Sequence, residues 1–125
     1  MNKKILVAED SSVIQNLTKR VLTMQQYEVV VVKNGAQVID KLNNGDFDLV
    51  LLDIHMPVMD GMECAKKIRS FPDARKDIPI IAITGNANNY SLEDFKNTGI
   101  NDYLPKPLNY DNLVEVVKKY LTNEN

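Results

Sequence analysis

Glu9, Asp10, Asp53, Thr84 and Lys106 all stand just beyond short apolar runs. Lys4-Ile5-Leu6-Val7-Ala8 leads into Glu9-Asp10, Leu49-Val50-Leu51-Leu52 into Asp53, and Ile80-Ile81-Ala82-Ile83 into Thr84-Gly85. A weaker run, Asp102-Tyr103-Leu104, meets Pro105-Lys106-Pro107. If the first and third of these runs are neighbouring strands, three carboxylates converge at one rim. Carboxylates that close repel, and at least one would keep its proton unless a cation joined them. Hard oxygen ligands on a small acidic rim suit Mg²⁺, which retains several waters and takes phosphate oxygens as further ligands. Lys106 adds a second positive charge and Thr84 a hydroxyl. An oxygen nucleophile, a charge-neutralising metal and a fixed cation are the parts that phosphoryl transfer needs.

The elements that must position these groups are legible from periodicity. Besides the four runs above, Tyr27 to Val32 is continuous and β-rich, and each run reads as a strand buried on both faces. Amphipathic segments alternate with them. Asp10, Ser11 or Ser12 caps a helix reaching about Gln25, with Val13, Leu17, Val21 and Met24 on one face. Ile14 and Leu22 widen that stripe and are candidates for contact with a partner's helix. Gly35 to Leu42 forms a second helix, stopped by Asn43-Asn44-Gly45. Asp60 caps a third, with Cys64, Ala65 and Ile68 inward, while Met56, Met59 and Met62 pack the loop before it. Ser91-Leu92-Glu93-Asp94 opens a short fourth helix as a capping box with Asp in place of Glu, and Gly99 ends it. Asn109 or Asp111 opens the last, with Leu113, Val114, Val117 and Leu121 inward. Five β-α units in succession require crossover connections, hence parallel strands and a three-layer α/β/α sandwich. Ligands of such sheets bind beyond the carboxyl ends of the strands, where the polar residues above collect.

Composition bounds the function. The 125 residues suffice for one domain with its own core, and 44% hydrophobic with 26% charged residues is the balance of a soluble globular protein. A net charge of −2 argues against nucleic acid as the main partner, since phosphate backbones demand a basic excess. The single cysteine, Cys64, excludes an internal disulfide and suits a reducing compartment. The apolar stretch after Lys4 ends at Ala8, so it is no signal-peptide core, and no run is long enough to cross a membrane. The expectation is a cytoplasmic single domain over residues 1–125.

Taken singly, Asp10 reads as a helix cap, Lys106 as a solvated lysine and Thr84 as a turn residue; Asp53, closing a buried strand, has little structural excuse. Taken together, Glu9-Asp10, Asp53 within Leu51-Leu52-Asp53-Ile54-His55-Met56-Pro57-Val58-Met59-Asp60-Gly61, Thr84-Gly85 and Lys106-Pro107 resemble a bacterial response-regulator receiver domain. The resemblance covers nearly the whole chain. It implies a (βα)5 flavodoxin-like fold with strand order 2-1-3-4-5. It implies Asp53 as phosphoacceptor from a sensor histidine kinase or a histidine phosphotransfer protein. Asp10 and Asp53 would bind Mg²⁺ directly with the His55 backbone carbonyl, and Glu9 mainly through a water. Thr84 and Lys106 would each bond a phosphoryl oxygen, with the Lys106–Pro107 peptide cis.

On phosphorylation Thr84 would move inward and Tyr103 rotate, changing the surface of the fourth helix, fifth strand and fifth helix for a downstream protein. The resemblance implies a regulator whose only reactions are Mg²⁺-dependent self-phosphorylation and autodephosphorylation, present as a monomer or a phosphorylation-dependent dimer. His55 stands where many receivers carry Asn or another polar residue, and with Asn86 it flanks the path of attacking water. Gly85 leaves that path open. Gly85 to Asn89 is poor in helix formers, which predicts a mobile loop and a late start to the fourth helix.

Other classes fit less well. A flavodoxin-like electron carrier would need a phosphate-binding loop where Glu9-Asp10 would repel the flavin phosphate. An aspartyl phosphatase would place a second aspartate where His55 stands. A module that only binds partners would be expected to lack part of the set Asp53, Lys106 and the acidic pair, and none is missing. The Met-Asn-Lys-Lys start and short polar tail favour a stand-alone regulator over a receiver cut from a hybrid kinase.

Overall fold

The computed structural model describes residues 2–85 and 91–122, apart from the side chain of Leu92. Strands β1 (Lys4–Ala8), β2 (Glu28–Val32), β3 (Leu49–Asp53), β4 (Ile80–Thr84) and β5 (Asp102–Pro105) alternate with helices α1 (Ser12–Met24), α2 (Gly35–Asn44), α3 (Gly61–Arg69), α4 (Leu92–Thr98) and α5 (Tyr110–Leu121). A 3-10 turn, Ala74–Asp77, precedes β4. All strand pairs are parallel, in the order β2-β1-β3-β4-β5. This is the flavodoxin-like (βα)5 arrangement expected.

Period-two alternation of the central strands explains the three layers. Leu6, Ala8, Val50, Leu52 and Ala82 point to one side, against Val38 and Leu42 of α2, Cys64, Ala65 and Ile68 of α3, and Phe95 of α4. Ile5, Val7, Leu49, Leu51, Ile81 and Ile83 point to the other, against Leu22 of α1 and Leu113, Val117 and Leu121 of α5. β3 and β4 are buried at every position, which is why their sequences are unbroken apolar runs. Each such Leu or Ile contributes roughly 1.5–3 kcal/mol by leaving water.

The caps lie where the side chains to make them are. Asn34, Asp60 and Asn109 each accept a backbone N–H from the first turn of their helices, and Ser91 with Asp94 forms a reciprocal capping box. Of the three candidates before α1, Ser11 makes the cap, through an N–H from Ile14. Asp10 is thereby released from that role. α2 runs on to Asn44, beyond the end expected at Leu42.

The inward face of α1 differs from the expectation. Val13, Leu17 and Met24 are 69%, 43% and 74% exposed, while the residues that face the sheet are Gln15, Thr18 and Leu22. Leu22 is therefore core and has no surface to offer a partner. The reason is chemical: two inward positions carry polar side chains, one of which serves backbone carbonyls at the sheet's rim. The expected mobility of Gly85 to Asn89 concerns a stretch that, after Gly85, lies outside the described residues, although α4 does begin only at Leu92. Among the described residues no helix is long and apolar enough to cross a membrane.

Candidate functional site

Strand register assembles the site. Ala8 pairs with Leu52, so Glu9 follows β1 beside the position where Asp53 ends β3. Asp53 in turn pairs with Ile83, which puts Thr84 next along β4, and Thr84 pairs with Pro105, the residue before Lys106. The Lys106 N–H donates to the Thr84 carbonyl at 2.8 Å, carrying the β4–β5 pairing one residue further. The Lys106–Pro107 peptide is cis, as expected. Gly61 lets α3 start directly on the end of β3: its N–H donates to the Ile54 carbonyl at 2.9 Å, and a Cβ there would lie 2.7 Å from the Asp53 carbonyl oxygen.

Asp53 is fully buried. Its Oδ1 accepts the His55 N–H at 3.1 Å, and its Oδ2 accepts from the Lys106 ammonium at 3.1 Å. Carboxylate oxygens of Glu9, Asp10 and Asp53 lie within 4.8 Å of one another. Glu9 is buried too; its Oε2 accepts the Ser11 N–H at 3.0 Å, and Lys106 Nζ stands 3.6 Å from Oε1. That last separation is too long for a hydrogen bond, and Glu9 Oε1 has no hydrogen-bond partner among the described residues. Burial, with the nearby Asp53 charge, pushes the Glu9 carboxyl up to about 7, against the lowering effects of the Ser11 N–H and Lys106. For Lys106, burial works to lower the pKa, but the hydrogen bond and charge of Asp53 and the charge of Glu9 outweigh it, and the ammonium is held above its ordinary value.

This cluster fits a divalent cation on its own chemistry. It holds three hard oxygen donors, a buried carboxylate oxygen with no hydrogen-bond partner among the described residues, and more negative charge than one ammonium neutralises. Asp10 is exposed and faces water, which suits an ion that keeps part of its hydration shell.

The other expected residues are near but differ in setting. Thr84 is buried at the end of β4. Tyr103 is half-buried on β5 and stacks on Phe95 of α4, ring centroids 5.4 Å apart at 23°. His55 is exposed, as is Gly85, whose Cβ position would lie 3.5 Å from Lys106 Cδ. Asn86 lies outside the described residues. Met56, Met59 and Met62 pack on the core beside the β3–α3 loop.

Two polar residues were not singled out from the sequence, one at the rim of the site and one at the opposite end of the sheet. Gln15 donates to backbone carbonyls at the ends of β1 and β2. Arg69 makes four hydrogen bonds, to the carbonyls of Gly99, Lys76 and Ile78 and to the Asn101 side chain, tying α3 to the far end of α4. A signal for Gln15 exists: with Thr18 and Leu22 it falls at the three- and four-residue spacing of one helix face.

A five-stranded parallel α/β/α sandwich with an acidic cluster and a lysine gathered at the strands' carboxyl ends is the architecture of a signalling receiver. The model of the response regulator receiver domain matches residues 5–118, and the chain belongs to that family. It is 35% identical over 119 residues to the CAI-1 autoinducer sensor kinase/phosphatase CqsS of Vibrio cholerae, covering 95% of this chain and 17% of that protein. The chain spans well under two-thirds of the length of the curated sensor kinases it matches, 5% in the case of hybrid signal transduction histidine kinase M of Dictyostelium discoideum.

Among solved structures, a CheY-like response regulator receiver domain protein from Methanospirillum hungatei superposes with a TM-score of 0.87 at 32% identity, covering 98% of this chain and 95% of that one. The receiver domain of sensor histidine kinase PA1611 from Pseudomonas aeruginosa, which has a magnesium ion coordinated in its active-site cleft, superposes with a TM-score of 0.88 at 30% identity, covering 98% and 100%. The chain is thus a receiver module of two-component signal transduction.

Proposed function

We propose that residues 1–125 form one receiver domain in which Asp53 accepts a phosphoryl group from the phosphohistidine of a sensor kinase or a phosphotransfer protein. The observation that carries this reading is the buried Asp53 carboxylate, held between the Lys106 ammonium and the Glu9–Asp10 pair. A buried carboxylate at the carboxyl end of a strand, with a cation on one oxygen, is placed as a nucleophile.

Asp10 and Asp53, with the His55 carbonyl, would hold Mg²⁺, and Glu9 would act through a bound water. When bound, the ion neutralises charge on the phosphoryl oxygens and on the attacking carboxylate. Asp53 Oδ forms the bond to phosphorus as the phosphorus–nitrogen bond of a phosphohistidine protonated on its other ring nitrogen breaks, leaving a neutral imidazole and an acyl phosphate. Lys106, already at Asp53, shifts its hydrogen bond to a phosphoryl oxygen, and Thr84 supplies a hydroxyl to another. Hydrolysis by water restores the carboxylate, so the chain turns over no external substrate beyond its phosphodonor. His55, exposed beside Asp53, borders the approach of that water.

The added charge, about −1.5 to −2, supplies the drive for a switch. Drawing Thr84 toward the phosphoryl group opens space for Tyr103 to leave its stack on Phe95, which alters the α4-β5-α5 face offered to a downstream protein. A cytoplasmic setting and a monomer or phosphorylation-dependent dimer accord with this role.

The test is intact mass after incubation with acetyl phosphate, with Mg²⁺ or with EDTA, beside an Asp53→Asn variant. A gain of one phosphoryl group that needs both Mg²⁺ and Asp53 supports the reading. Equal modification of Asp53→Asn, or none in folded protein that binds Mg²⁺ even with a phosphohistidine donor, overturns it.

A further inference from the structure

Gln15 sits on the sheet-facing side of α1, only 8% exposed. Its carboxamide Nε2 donates to the Glu9 carbonyl and to the Val32 carbonyl, each at 3.0 Å. The Glu9 N–H donates to that same Val32 carbonyl at 3.0 Å. The carboxamide therefore stitches the carboxyl ends of β1 and β2 where their ladder stops.

The bonds around it close a ring. Gln15 N–H donates to the Ser11 carbonyl at 2.9 Å, Ser11 N–H donates to Glu9 Oε2 at 3.0 Å, and Gln15 Nε2 returns to the Glu9 carbonyl. Asp10 is the residue enclosed. The peptide plane before it is held through the Glu9 carbonyl by Gln15, and the plane after it through the Ser11 N–H by Glu9. Fixing both planes fixes the backbone of Asp10, and with it the direction in which its exposed side chain leaves the chain. The Asp10 side chain is exposed, so this control is exerted through the backbone.

We propose that Gln15 is a positioning residue for the acidic pocket: by holding the Glu9–Asp10 peptide plane it sets where the Asp10 carboxylate stands relative to Asp53, and so sets the affinity for Mg²⁺. The inference rests on the reading of Glu9, Asp10 and Asp53 as a cation site. Partners that orient metal ligands are worth about 10- to 100-fold in affinity, and one acting through the backbone belongs at the lower end.

The experiment is calorimetric titration of the full chain with Mg²⁺ alone, comparing wild type, Gln15→Met, Gln15→Asn, Asp10→Asn and the Gln15→Met/Asp10→Asn double variant. Methionine keeps the shape and removes the donor; asparagine keeps the carboxamide but is too short to span both carbonyls. The expected result is a Kd raised about ten-fold in Gln15→Met, and less in Gln15→Asn, with no further rise when Gln15→Met is added to Asp10→Asn. A merely structural role would lower Tm and leave the Mg²⁺ Kd alone. Thr18→Val, on the same helix face but without the Gln15 bond to the Glu9 carbonyl, should leave the Kd unchanged. A Kd in Gln15→Met within two-fold of wild type overturns the proposal; should that variant not fold, the same criterion applied to Gln15→Asn decides. Wild type that binds no Mg²⁺, or Asp53→Asn that binds it as tightly as wild type, overturns instead the site on which the proposal rests.

Discussion

The Lys106 ammonium stands 3.1 Å from Asp53 Oδ2 and 3.6 Å from Glu9 Oε1, one cation set against three clustered carboxyl groups. Both carboxylates it touches are buried, so its removal leaves them with no opposite charge at hand. Lys106→Met should destabilise the metal-free protein by about 1–3 kcal/mol, less than for a fully buried pair because the lysine is partly open to water. The same change should tighten Mg²⁺ binding a few-fold, since the ion no longer meets a resident positive charge. Thermal melts with EDTA and a Mg²⁺ titration check the two halves. Unchanged Mg²⁺ affinity would separate Lys106 electrically from the acidic cluster.

Glu9 carries a pH signature. Its carboxyl is raised from 4.5 to about 7 in the fold, chiefly by burial. Between those values the folded state holds a proton that the unfolded state has lost, so unfolding releases it. Stability therefore declines as pH rises from about 4.5 to about 7 and levels off above, the reverse of a salt-bridged carboxylate. Wild type in EDTA should lose Tm across that window relative to Glu9→Gln. Mg²⁺ competes with the proton, so its affinity should be weaker at pH 6 than at pH 8. Parallel melting curves for the two proteins would refute the shift.

Thr18 Oγ1 is buried with no hydrogen-bond partner among the described residues. Valine has the same shape without the hydroxyl, and an unsatisfied buried polar group costs about 1–3 kcal/mol. Thr18→Val should gain about 1 kcal/mol in urea unfolding at unchanged m-value. A loss instead would point to a buried water that the hydroxyl serves.

Helix α1 ends in a Schellman arrangement built on the wrong residue. Gln26 N–H donates to the Thr23 carbonyl and Tyr27 N–H to the Leu22 carbonyl, with Gln26 in the left-handed region at φ 70. Glycine is the residue that adopts this conformation without strain. Gln26→Gly should stabilise by about 0.5–1 kcal/mol, measured by chemical denaturation, and a neutral or negative result would show that the unfolded chain's entropy outweighs the relief.

Gly99 is the opposite case. Its φ is +93, and a Cβ would come within 2.6 Å of Arg69 Cγ, on a side chain pinned by four hydrogen bonds. Gly99→Ala should cost about 2–4 kcal/mol, from backbone strain and from displacement of the guanidinium. The cost should shrink in an Arg69→Ala background; an undiminished one would place the whole effect in the backbone.

The sequence by itself determined the order of elements, the caps at Asp60 and Ser91, and the polar residues at the strand ends; which of the candidates caps α1 and α5, and that Asn34 caps α2, came from the structure. The features read from the sequence are local: period-two burial, capping chemistry and the cost of a carboxylate closing an apolar run all act within a few residues. Because a parallel sheet brings the ends of neighbouring strands together, Glu9, Asp53, Thr84 and Lys106 form a set legible in the sequence alone.

The tertiary structure alone decided which side of α1 turns inward. Apolar count favoured Val13, Leu17, Val21 and Met24, of which only Val21 is even half-buried, and the fold chose Gln15, Thr18 and Leu22. A helix face is selected by what it meets, and here it meets the rim of a sheet whose last carbonyls need donors as well as apolar cover. The same holds for Arg69, whose four acceptors lie in the turn before β4 and the stretch after α4. Hydrogen bonds between distant segments leave no periodic trace in the chain, because their partners are brought together only by packing.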